Sequence, residues 1–325
     1  MNKHSALRTS GSLLERAAEI YDFKAPTPQA DRTEPVRTEP QRITAPTVPV
    51  PPVQPVAFAA AETPRAEPAK PSIAAPLSPA PRGRAGSIDR SGLRDAGFIL
   101  PDAPVSGLAE EFRIIKRQLL LGVDGRTGLP DEKRQTILVC SAQPDEGKTF
   151  CSVNLALSLA SETDVEVLLI DGDFAKPEIL SILGLEAGAG LIDALADPSI
   201  DPDSLVIRTD VEGLSVLPAG RQENNVTELL AADRTRDVLS ALTVRHPKRV
   251  VIFDSPPALV ASPASVLATH VGQVVMVVRA DSTSEADLRE AIALLSGCES
   301  ISLMLNGTGV TATGRRFGSY YGYGQ

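Results

Sequence analysis

The stretch from Ile137 to Thr149 reads as an apolar strand, a tight loop, and a helix opened by Gly147, Lys148 and Thr149. That order suits a triphosphate. Backbone N–H groups at a helix N-terminus attract anionic oxygens, a lysine reaches the β and γ phosphates, and a hydroxyl serves Mg2+. Pro144, Asp145 and Glu146 fill the loop and Phe150 follows it, so residues 144–150 are the candidate nucleotide cradle. Ala142 stands where the usual pattern has its first glycine. Two carboxylate sites follow other apolar runs: Asp171 and Asp173 after Ile170, and Asp254 after Phe253. A lone carboxylate at a strand end is commonly a helix cap. With the phosphate loop, the three aspartates point instead to phosphoryl transfer, which needs acidic groups to hold Mg2+ and to accept a proton. Lys148, Asp171, Asp173 and Asp254 are the candidate catalytic set, with Thr149, Asp173 and Asp254 as Mg2+ ligands. Exchanging the roles of Asp171 and Asp173 is equally compatible with the sequence.

These residues need a scaffold that presents strand ends to one crevice. Apolar runs occur at 136–140, 165–170, 214–217, 249–253, 273–278 and 300–305, and helical patterns separate them at 149–160, 235–244, 262–269 and 285–296. Runs with little polar alternation fit strands buried on both faces, as in a parallel sheet covered by helices. The expected fold is therefore a doubly wound, mostly parallel α/β sandwich, whose ligand crevice lies past the strand ends. A further helix is expected over 108–121, ended by Gly122.

The chain has 325 residues and 27 prolines, 15 of them between Pro26 and Pro81. Such a Pro- and Ala-rich segment cannot bury enough apolar surface to offset its ordering entropy. Residues 1–102 are accordingly expected to form a disordered head with a short amphipathic helix near 12–23. Residues 103–313 are the expected folded domain, and 314–325 a flexible Gly- and Tyr-rich tail. The net charge is −9, with 13 Lys/Arg against 10 Asp/Glu up to Asp95 and 19 against 31 beyond it. An acidic body argues against a nucleic-acid partner, for which a basic face is expected. The cysteines, Cys140, Cys151 and Cys298, are odd in number and unpaired in spacing, which fits a reducing compartment. His4, His246 and His270 lack metal-ligand spacing. With no long apolar run, the expectation is a cytoplasmic protein, peripheral at the inner membrane through a partner.

The loop with Pro144, the Asp171-x-Asp173-x-x-Lys176-Pro177 motif and the Asp254-Ser-Pro-Pro257 motif resemble the Walker A, A′ and B motifs of the bacterial tyrosine kinases of exopolysaccharide and capsule export. The resemblance runs from about Gly107 to Gln325. Ala175 occupies the family's arginine position in the second motif, and Lys176 follows it. Tyr320, Tyr321 and Tyr323, spaced by glycines, resemble the tyrosine cluster that these kinases phosphorylate on one another. Glu110, Arg113 and Lys116 resemble the family's ring-forming Glu-x-x-Arg-x-x-Arg helix with lysine last, which implies a homo-oligomer. The segment from Ser12 to Ala18 is similar to the exosortase-associated tyrosine autokinase branch. The family further implies ATP and Mg2+ as cofactors, Asp171 as the acceptor of the tyrosine proton, and a membrane polysaccharide co-polymerase or chain-length protein as partner. Asn306 follows the last strand where a guanine-specific enzyme would show Asn-Lys-x-Asp, so ATP is favoured and Asn306 is a candidate nucleotide contact. The rival reading is a non-kinase ATPase switch of the partitioning and division-site type, which carries an additional loop lysine where this chain has Gln143. A catalytically dead regulatory subunit is a third reading, since Asp145 adds negative charge beside the phosphates.

Overall fold

The structure is a computed structural model that describes residues 83–126, 128–130 and 133–308. These described residues fall within a single compact unit. The tyrosines of the tail and the amphipathic segment near 12–23 lie outside the described residues.

Eight strands form one sheet: β1 (Ala85–Gly86), β2 (Thr136–Ser141), β3 (Glu166–Asp171), β4 (Ile207–Thr209), β5 (Leu214–Leu217), β6 (Arg249–Asp254), β7 (Gln273–Arg279) and β8 (Ile301–Asn306). Their order is β1-β4-β5-β3-β6-β2-β7-β8, with every pair parallel except β4 and β5. The central strands β2 and β6 are buried at every position. Successive side chains of a strand point to opposite faces, so each central strand feeds two cores. Leu138, Cys140, Leu168, Ile170, Val251 and Phe253 enter one cluster, whereas Ile137, Val139, Val167, Leu169, Val250 and Ile252 enter the other.

Nine α-helices cover the sheet: α1 (Arg90–Asp95), α2 (Gly107–Val123), α3 (Lys148–Ala160), α4 (Ile179–Leu183), α5 (Leu191–Ala196), α6 (Val226–Ala231), α7 (Asp233–Val244), α8 (Pro263–Ala268) and α9 (Glu285–Leu294) among the described residues. Helices α1 to α4 supply the second cluster through Leu93, Phe112, Leu119, Leu155 and Leu183; α5 to α9 supply the first through Ile192, Leu230, Val238, Leu267 and Ala291. Helix α2 begins where the Ser106 side chain accepts a hydrogen bond from the Ala109 N–H, satisfying an otherwise orphaned donor. Helix α3 is buried along nearly its whole length, which explains why its sequence shows so weak an amphipathic stripe.

The expected domain start at 103 is too late. Ile88, Leu93 and Ile99 are buried in the second cluster, and β1 pairs with β4 at Ala85 and Gly86. Burying a side chain such as Leu93 contributes about 1.5–3 kcal/mol, enough to tie a short segment to the body. Asp89 caps α1 through Ser91 and Gly92, and Arg90 bridges Asp102 and Asp210 at 2.9 and 2.7 Å. Pro-rich composition masked this transition, because the anchoring apolar residues are few and widely spaced. The short elements β1, β4, α4, α5 and α6 were likewise absent from the sequence reading; none is long enough to display a period.

Candidate active site

Parallel strands β2, β3 and β6 end side by side, and their carboxyl ends bring the three sequence motifs together. In the ladder, Asp171 stands opposite Asp254, and Val139 of β2 pairs with Asp254 from the other side. The loop after β2 turns into α3 through Gly147, whose φ of +92° is a left-handed conformation that disfavours a side chain. A Cβ there would also collide with the Asn306 amide. The positive φ therefore calls for glycine at 147, and a side chain there would in addition push the Asn306 amide aside.

Lys148 opens α3 and places its ammonium 2.8 Å from Asp173 Oδ2. Burial works against this charge, but Asp254 and Asp173 outweigh it and raise the Lys148 pKa above the ordinary lysine value. Asp254 is fully buried, which pushes its carboxyl up to about 6 even though Lys148 and the hydroxyls of Thr149 and Ser152 pull it down. Ser152, one turn beyond Lys148, donates to Asp254 Oδ1 at 3.0 Å. Asp171 is pushed up to about 7, first by burial and then by the Asp254 charge, against the pull of the Ile179 and Asp173 N–H groups. Its Oδ2 accepts from the Ile179 N–H at 3.1 Å, while Oδ1 is buried without a partner. A buried carboxylate oxygen left unbonded is costly, and functional sites are where such costs are retained.

Several expected contacts take a different form. The Glu146 side chain is buried and turned away from the loop mouth: Oε2 accepts from the Gln143 N–H at 2.9 Å and Oε1 accepts from the Thr283 hydroxyl. Only its backbone is left to serve a phosphate. The Phe150 ring packs against Phe98, centroids 4.9 Å apart, and joins the second core cluster, so it is not a nucleotide contact through its side chain. Asn306 donates to the Glu146 carbonyl at 2.9 Å and so braces the loop. Pro144 and Asp145 are exposed at the loop's outer rim, and Asp145 adopts a φ of 59°.

Lys116 corrects the oligomerisation reading. It is buried and its ammonium meets the Ser158 carbonyl at 2.6 Å, Ser161 Oγ at 2.9 Å and Glu162 Oε1 at 2.8 Å. All three ammonium donors are engaged within one chain, because α2 packs directly on the C-terminal turn of α3. Arg113 pairs with Glu110 at 2.9 Å on the same helix and remains about half exposed.

Motif reading passed over Ser152, Arg279 and Thr283. Ser152 was findable as the residue four beyond Lys148 on one helix face. Arg279 and Thr283 carry no local signal, since they reach the loop only through the β7 strand order. A cavity of about 850 Å3 lies at the far end of α3, lined by residues such as Phe98, Val105, Glu162 and Val211. Two of the carboxylates that line it, Glu162 and Asp210, are already paired with Lys116 and Arg90. Among the described residues, no group of three or more His, Cys, Asp or Glu could by itself hold a metal. Magnesium in phosphoryl-transfer sites is generally held by one or two carboxylates together with substrate phosphates.

A strand, a glycine-turned loop and a lysine-bearing helix, flanked by aspartates on neighbouring parallel strands, define a P-loop nucleotide-binding domain. The chain is a homologue of the bacterial tyrosine-protein kinases. It is 27% identical over 236 residues to the tyrosine-protein kinase YwqD of Bacillus subtilis (strain 168), covering 73% of this chain and 93% of that one. It is 29% identical over 192 residues to the tyrosine-protein kinase wzc of Salmonella typhimurium, where the match covers 59% of this chain but only 26% of the relative. The crystal structure of the chimerical protein CapA2B2 superposes with a TM-score of 0.56 at 27% identity, covering 69% of this chain and 94% of that one. No protein-family model matches the chain.

Proposed function

We propose that this chain is an ATP-dependent protein-tyrosine autokinase that phosphorylates Tyr320, Tyr321 and Tyr323 of another copy, in a system that polymerises and exports exopolysaccharide or capsule. The carrying observation is the bare Oδ1 of Asp171, beside a Lys148–Asp173 pair at the mouth of a phosphate loop. Lys148 and the loop amides hold the β and γ phosphates. Displacing Asp173 from Lys148 when nucleotide enters frees that carboxylate for a second role.

Asp171 is the proton acceptor. As the tyrosine oxygen forms its bond to the γ phosphorus and the bond to the β-phosphate oxygen breaks, the phenolic proton passes to Oδ1. A carboxyl titrating near about 7 is well matched to that task. The donor set also fits Mg2+, which takes hard oxygen ligands: the Thr149 hydroxyl lies 3.3 Å from the Lys148 ammonium, which pairs with Asp173 and feels the charge of Asp254. When bound, Mg2+ would neutralise charge on the transferring phosphoryl group. Support for tyrosine as acceptor comes from the named kinase relatives and the tyrosine-rich C-terminus.

A membrane co-polymerase is the proposed activating partner, and the chain itself is the second partner. Among the described residues no helix is long and apolar enough to cross a membrane, so attachment through that partner is part of the proposal. Arg113 and Glu110 remain candidates for contact between copies. The test incubates purified protein with Mg2+-ATP, alone and with the partner's cytoplasmic segment, and follows the C-terminal peptide by mass spectrometry. Phosphotyrosine that disappears in Lys148→Met is the expected result. ATP hydrolysis with an unmodified C-terminus under both conditions would overturn it in favour of an ATPase switch.

A further inference from the structure

The phosphate loop is gripped from outside by the ends of β7 and β8. Arg279, the last residue of β7, donates from Nη1 to the Asp145 carbonyl at 2.6 Å. Asn306, the last residue of β8, donates from Nδ2 to the Glu146 carbonyl at 2.9 Å. Thr283, in the turn before α9, donates its hydroxyl to Glu146 Oε1 and accepts the Arg279 N–H at 2.8 Å. The Ala280 N–H donates to the Asn306 carbonyl at 2.8 Å, locking the two strand ends together. Glu146 completes the arrangement by accepting the Gln143 N–H across the loop.

A trans peptide is planar, with its C=O and N–H pointing in opposite directions. Holding the Asp145 carbonyl outward therefore turns the Glu146 N–H inward, and holding the Glu146 carbonyl outward does the same for the Gly147 N–H. Two consecutive donors are aimed into the loop's concavity by side chains from 134 to 160 residues further along the chain. Preorganised donors of this kind bind charge without a reorganisation cost at the moment of reaction.

We propose that Arg279, Thr283 and Asn306 are positioning residues that set the phosphate-binding shape of the loop through Asp145 and Glu146, with no contact of their own to the nucleotide. The inference rests on the nucleotide-binding half of the proposed function but not on tyrosine as acceptor. Asn306 thereby changes from a nucleotide contact to a brace, and buried Glu146 becomes the hub of the loop.

The experiment measures the affinity of the full chain for a fluorescent ADP analogue with Mg2+, alongside the thermal midpoint without nucleotide. Thr283→Val and Asn306→Asp should each weaken binding about tenfold, the scale of one lost hydrogen bond, while the midpoint stays within a few degrees. Thr283→Ser keeps the hydroxyl and should bind as the parent chain does. Unchanged affinity in Thr283→Val and Asn306→Asp overturns the proposal, as does a loss that Thr283→Ser shares or one that merely tracks a fall in midpoint. If binding weakens as expected while the C-terminus is never phosphorylated, the brace stands and the kinase reading fails. If phosphorylation proceeds and affinity is untouched, the reverse holds. A parent chain that binds no nucleotide overturns both.

Discussion

Two lysines of this chain, Lys116 buried and Lys148 partly buried, are each paired with a carboxylate at 2.8 Å, yet they serve opposite ends. Lys116 is saturated: a carbonyl, a hydroxyl and Glu162 take its three donors, and nothing around it is left unbonded. Lys148 sits among three aspartates, of which Asp171 and Asp254 have raised carboxyl pKa values and Asp171 also keeps a bare oxygen. A satisfied ion pair holds two helices together. An over-supplied cluster of like charges is held in place by the rest of the fold and gains by receiving a ligand, a cation or a proton.

The largest effect that would break this comparison is on turnover. Lys148→Met should reduce phosphoryl transfer by at least about a thousandfold, because charge stabilisation is most of the catalysis in such sites. Its circular dichroism spectrum should match that of the parent. An active Lys148→Met would mean that the two lysines differ only in location.

Lys116→Met should do the converse, lowering stability by about 2–3 kcal/mol in denaturant titration while leaving activity per folded molecule intact. The figure allows for the partial exposure of Glu162, which softens the penalty of leaving it unpaired. Unchanged stability would show that the apolar stem rather than the ammonium carries the contact.

A pH dependence sharpens the charge argument. The carboxyls of Asp171 and Asp254 titrate higher in the folded chain than in the unfolded one. The folded state therefore binds more protons, and the ligand-free domain loses stability as pH rises from about 4 to 7. Asp171→Asn removes part of that loss, so it should be stabilising by about 1–2 kcal/mol at pH 8 and by much less at pH 4. Thermal melts at the two pH values decide this, and an equal effect at both would remove the proposed strain.

The smallest effect is expected at Arg113. Its exposed pair with Glu110 should contribute less than about 0.5 kcal/mol to folding. If copies associate through this helix, Arg113→Ala should leave the melting curve unchanged yet shift the sedimentation profile toward monomer. An unchanged profile would exclude the contact.

Much of the fold was readable because long, uniformly apolar runs such as Val250–Phe253 have no other soluble use than a strand buried on both faces. The phosphate loop and the three aspartates were readable for a related reason: each lies next to such a run, and their chemistry is carried by residue type. What the Lys116 and Phe150 side chains pack against was not readable, because local spacing shows which residues share a helix face and says nothing about what that face meets. Lys116 points at the end of α3, and Phe150 at Phe98, through packing between elements far apart in sequence.

By itself, the sequence determined that a parallel α/β sheet would bring a lysine and three carboxylates to a common edge, since strand, loop and helix follow one another within short spans. Tertiary structure alone decided which oxygen stays bare, which lysine is saturated, and that the ends of β7 and β8 hold the phosphate loop. The physical reason is that satisfaction of a polar group depends on every neighbour in space, and parallel strand order makes those neighbours residues more than a hundred positions away.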